Sequence, residues 1–158
     1  DWMKAYNDSL AAMNLANAGE IPAVPEGGSG YAGMKECHDC HDTAHEVWNE
    51  TKHSRAWATL VKANKTFDAE CVGCHVTGWQ APGGSILGKT AGLENVQCEV
   101  CHGPGTEHVE SGGEITLIRR NAPEAVCVGC HNEHHSPKFN YSVYLPKILG
   151  PGHGAPAP

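Results

Sequence analysis

Phenylalanine occurs only twice in this chain, and aromatic residues make up just 6% of it. Glycine and proline are plentiful instead, at 19 and 10. A domain of 158 residues normally buries a substantial apolar core, and this composition lacks the side chains for one. Some other apolar surface must do that work. Positive charge is also scarce: 11 Lys and Arg face 18 Asp and Glu, for a net charge of −7 with His neutral. That balance argues against a nucleic-acid partner. No run of 18 apolar residues exists, so no segment reads as a transmembrane helix. Nor does any segment read as a signal peptide. The chain opens at Asp1, which reads as the mature product of an exported precursor.

No cysteine stands outside a single motif. Cys37-His38-Asp39-Cys40-His41, Cys71-Val72-Gly73-Cys74-His75, Cys98-Glu99-Val100-Cys101-His102 and Cys127-Val128-Gly129-Cys130-His131 use all eight. Cys-x-x-Cys-His is the attachment signature of c-type haem. The two thiols bond the porphyrin vinyl groups and the histidine binds the iron. Two rival readings exist. Paired Cys-x-x-Cys units build zinc sites, and eight cysteines in a small exported chain can form disulfides. Neither requires histidine after every second cysteine, and histidine is only 11 residues of 158. Four covalently bound haem c groups are therefore expected. Their macrocycles supply the missing apolar surface, with the polypeptide as a wrapping.

The proximal iron ligands are then His41, His75, His102 and His131. Seven further histidines remain: His38, His45, His53, His108, His134, His135 and His153. Met3, Met13 and Met34 are further axial candidates, better suited to packing. A second histidine or methionine closes the iron for electron transfer, whereas an empty sixth position leaves it open to small ligands.

The predicted fold class is mainly α with extensive loops, little or no β-sheet, organised around four closely stacked haems. A first segment, 1–30, holds a helix over 2–17, with Trp2, Tyr6, Leu10 and Met13 in one stripe, and then a Pro/Gly-rich arm. The haem domain is 31–158, within a single domain overall. Its longest helix is expected over 42–63, capped by Asp42 or Thr43. There His45, Trp48, His53, Trp57 and Leu60 fall on or near one face. Residues 76–97 are rich in turn signals, 115–119 form the one candidate strand, and 150–158 should lack regular structure. The uneven motif spacing gives no solenoid repeat.

The stretches between motifs carry a family resemblance. Trp48-Asn49-Glu50-Thr51-Lys52-His53-Ser54-Arg55-Ala56, Cys71-Val72-Gly73-Cys74-His75-Val76-Thr77-Gly78 and Val96-Gln97-Cys98-Glu99-Val100-Cys101-His102-Gly103-Pro104-Gly105-Thr106-Glu107-His108 are three of them. Pro137-Lys138-Phe139, Lys147-Ile148 and His153 follow the fourth motif. Over about 31–153 the chain resembles the tetrahaem cytochromes typified by the electron acceptor of hydroxylamine oxidoreductase in ammonia oxidisers. It is also similar to the tetrahaem cytochromes that polymerise into extracellular filaments.

The resemblance implies a wiring. His108 would be the distal ligand of the haem at His41, His53 of that at His102, and His153 of that at His131. The haem at His75 is five-coordinate in one branch and bis-histidine in the filament branch, with one ligand from an adjacent subunit. Here His45 or His135 is the expected candidate to complete it.

The expected function is electron transfer without catalysis, as a subunit of an extracellular conducting filament. Its partners would be other redox proteins or extracellular acceptors, with self-association into a homopolymer, at the cell surface or beyond. The alternatives are a soluble periplasmic carrier, or an enzyme reducing nitrogen oxides at an open second haem.

Overall fold

The computed structural model of the chain describes residues 2–153. Among them the regular structure is helical, in short pieces joined by long loops. In chain order the helices are α1 (Trp2–Ala16), α2 (Met34–His38), α3 (Asp42–Glu50), α4 (Ala56–Ala63), α5 (Ala69–Val72), α6 (Cys98–His102), α7 (Thr106–Glu110), α8 (Glu124–Val128) and α9 (Tyr141–Tyr144). Short 3₁₀ turns cover His53–Arg55, Ile115–Leu117 and Leu145–Lys147.

Three sequence expectations need correction. The single helix over 42–63 is two helices. Thr51 is extended (φ −82°, ψ 166°) and its hydroxyl donates to the Trp48 carbonyl at 2.7 Å. The Ser54 hydroxyl donates to the carbonyls of Asn49 and Thr51 at 2.9 Å. Hydroxyl side chains here compete for backbone partners that a continuous helix would use. The cap of α3 is His41, without a side-chain bond, so neither Asp42 nor Thr43 serves. The candidate strand at 115–119 is a 3₁₀ turn, closed by the Glu114 carboxylate accepting the Thr116 N–H at 3.0 Å. The isolated β-bridges lie elsewhere, at Val76–Glu94, Trp79–Ser85 and Ile86–Lys89. Residues 154–158 of the expected irregular tail lie outside the described residues.

The N-terminal segment packs back on its own domain. Asn14 donates to the Phe67 carbonyl at 3.1 Å, and the Gly83 N–H reaches the Pro22 carbonyl at 2.8 Å. The Asn14 bond holds the later part of α1. At its start Trp2 is 74% exposed and Tyr6 55%.

The apolar core is small and local. Leu60, Val72, Val76 and Leu87 cluster, with Trp57, Trp79 and Cys71 against them. Val72 is fully buried and sits inside the second motif, so that motif is rooted in the core. Polar bonds tie the rest to it. The segment 94–97 works as a hub. Trp48 Nε1 donates to the Val96 carbonyl at 2.7 Å, and the Val96 N–H reaches the His53 carbonyl at 3.2 Å. Asn95 Oδ1 accepts the Trp57 N–H at 2.9 Å, and the Asn95 N–H reaches the His75 carbonyl at 2.9 Å.

The turn 78–85 is closed by a close backbone crossing. A Cβ on Gly84 would overlap the Gly78 carbonyl. Gly84→Ala should therefore cost about 1–3 kcal/mol or more, as an overpacked site with little room to relax. Denaturant unfolding of the loaded protein checks this, and an unchanged midpoint would contradict the crossing.

Candidate functional site

The four motifs sit at or beside short helices: α2 and its following turn, α5, α6 and α8. All eight thiols are free of disulfides. They meet across motifs. Cys37 and Cys98 share a hydrogen bond, which raises the Cys37 thiol, helped by burial, and lowers that of Cys98. Cys74 and Cys130 share another, and Cys130 is pushed up to about 12, first by burial and then by that bond. Cys101 lies near enough to Cys127 to feel its charge, and burial, ahead of that charge, pushes Cys101 up to about 11. Met34, a candidate axial ligand, packs its sulfur 3.9 Å from Cys98 Sγ instead. The first motif thus lies beside the third, the fourth beside the second, and the third near the fourth.

The histidines are prepared as metal ligands. His75 Nδ1 lies 2.7 Å from the Ala56 carbonyl, and His102 Nδ1 lies 2.7 Å from the Arg119 carbonyl. His108 Nδ1 lies 2.9 Å from the Glu114 carbonyl. A carbonyl only accepts, so the proton is on Nδ1 in all three and the Nε2 lone pair is free for a metal. His131 Nδ1 has a weaker partner, the Ser136 hydroxyl at 3.2 Å. Burial keeps His131 low in pKa. His53 is also lowered, by burial and then by the His131 charge. Neutral imidazole is the ligating form.

The rings also pair. His41 and His108 stand 6.3 Å apart with planes 13° from parallel. That separation leaves room for one metal ion bonded to each ring at about 2 Å. His53 lies 6.1 Å from His131, with the ring planes 54° apart. His153 lies near His102, whose charge helps burial to lower it, against the Gly150 carbonyl. Among the described residues its buried Nδ1 has no hydrogen-bond partner. An orphaned imidazole nitrogen facing inward fits a site for a further group. The residues present therefore fit four axially ligated haems.

The two histidines expected as candidates for the second haem have these surroundings. His45 packs on His38 at 4.0 Å and on Trp48 at 5.6 Å. His135 is exposed, with its backbone N–H on Asn132 Oδ1. The three orienting carbonyls were illegible in the sequence, because every residue has one. Glu99 did carry a signal: it is the one acid at the second position of a motif.

Residues 36–103, which hold the first three motifs, match the family model "Cytochrome c554 and c-prime". Cytochrome c-554 of Nitrosomonas europaea is 30% identical over 156 residues, covering 75% of this chain and 66% of that protein. The chain thus spans about 66% of the length of this relative. The solved structure of reduced cytochrome c554 from Nitrosomonas europaea shares the fold, with a TM-score of 0.51 at 24% identity, covering 77% of this chain and 79% of that one. Its cofactors are four covalently bound c-type haems. The chain is thus similar to the cytochrome c554 family.

Proposed function

We propose that this chain is an electron-transfer cytochrome whose four motifs form one path in the order first, third, fourth, second. The observation that carries this reading is the neighbourhood of thiols from different motifs: Cys37 beside Cys98, Cys74 beside Cys130, and Cys101 near enough to Cys127 to feel its charge. When bound, the haems supply one-electron redox centres. The protein's own part is to hold them close, fix the tautomers of His75, His102 and His108, and limit water. His41 with His108, His131 with His53 and His102 with His153 would hold three of the haems, and His75 the fourth. No acid–base pair or nucleophile is needed for this work. The acidic surface suits a basic redox partner. Covalent haem attachment fits a protein that works outside the cytoplasm.

The finer reading is a subunit of an extracellular filament. It is favoured by the exposed apolar start of α1, with Trp2, Met3 and Tyr6, which a second copy would cover. It is favoured also by His45, which packs beside the first motif and could be supplied to a second-motif haem of the neighbour.

His53→Ala should add one high-spin ferric centre per chain in the electron paramagnetic resonance spectrum, reversed by added imidazole. The extra signal should be absent when Cys127 and Cys130 are also replaced by serine. Persistence of the signal in that background would reject the His53–His131 pairing. Electron microscopy of the native, haem-loaded protein tests the filament. Filaments that are lost in Trp2→Ala/Tyr6→Ala support it, and isolated particles at all concentrations refute it. A high-spin ferric signal from the native soluble protein would favour an open second haem.

A further inference from the structure

Glu99 lies between the two cysteines of the third motif and is only 2% exposed. Its carboxylate takes three backbone N–H groups. Oε1 accepts from Ala32 and Gly105 at 2.8 Å, and Oε2 accepts from Gly33 at 2.8 Å. Every partner donates, which matches a carboxylate that only accepts. No cationic side chain forms an ion pair with it among the described residues. The segment 30–33 leads directly into the first motif. The carboxylate thus clasps the entry of the first motif to the body of the third.

The site is built for this charge. Gly33 has φ +85°, a conformation that favours glycine. A Cβ on Gly105 would come within 3.1 Å of Glu99 Oε1, so a larger residue would crowd the carboxylate. Glu99 also acts on its surroundings at a distance. Its charge is felt by Cys37 of the first motif, by Cys98 of the third and by the Tyr31 hydroxyl between them. Glu99 is not among the charges felt at Cys71, Cys127 or Cys130, where Asp68 and Glu70 act on Cys71 and Glu124 on Cys127.

We infer that Glu99 is a positioning residue that also works through its charge, which lowers the midpoint potentials of the centres at the first and third motifs relative to those at the fourth and second. An oxidised centre carries one more positive charge than a reduced one. A buried anion nearby therefore stabilises the oxidised form, and burial keeps water from screening it. Three N–H dipoles reduce the field without cancelling it. Without this charge the two centres at the first–third end would sit higher. This rests on the electron-transfer reading above.

The test is spectropotentiometric titration of the haem-loaded protein, with native protein, Glu99→Gln and Glu99→Asp in parallel. Four one-electron components in the native protein are the check on the underlying reading, and fewer would sink that reading rather than this one. Glu99→Gln removes the charge and keeps the volume. Two of the four midpoints should rise and two should stay. No movement, or an equal rise in all four, would overturn the inference. Glu99→Asp keeps the charge but cannot span all three N–H groups. It should lower thermal stability while leaving the two low midpoints low. If Glu99→Gln does not fold, Glu99→Asp decides the matter: a rise of the two low midpoints in that variant would mean that the clasp, and not the charge, sets them.

Discussion

Few apolar side chains are fully buried in this chain, yet four attachment motifs are held in contact with one another. Packing of side chain on side chain cannot do that here. The constraint is met by polar bonds that lock backbone to backbone through single side chains. Glu99 takes three N–H groups, and Gln97 bridges Met34 to Gly92 and Glu94. Trp48 and Asn95 hang two helices on one loop. Each such bond contributes only about 1 kcal/mol net, but leaving one unmade in a buried place costs more. The wrapping is therefore specific although its core is small. The haem faces complete the burial that the polypeptide begins.

The histidines follow the same logic. A ring that binds a metal at one nitrogen must hold its proton at the other, and a backbone carbonyl is the simplest way to fix it. Ala56, Glu114 and Arg119 provide those carbonyls from three separate loops and helix ends. Ligand placement is thus a product of the fold, whereas proximal ligand identity is a product of the motif.

That division explains what could be read from the residues. Cys-x-x-Cys-His is a local code, so eight attachment points and four proximal histidines were legible at once. The helix over Trp2–Ala16 and the irregular arm after it were legible too, because periodicity and glycine-proline signals are local. The break at Thr51 was hidden, since hydroxyl competition with the backbone is settled by context. The meeting of His53 with His131 was hidden for a stronger reason. It depends on how the loop at 94–97 folds His53 back, and no spacing rule carries that. The order of the motifs in space was equally hidden, because it differs from their order in the chain.

The spatial order of the four motifs can be measured. Anomalous diffraction at the iron edge from crystals of the haem-loaded protein measures it directly. Four iron peaks should form one row, with the iron of the second motif neighbouring only that of the fourth and the iron of the first only that of the third. A row in which the first and second irons are neighbours, or a cluster around a common centre, would contradict the account.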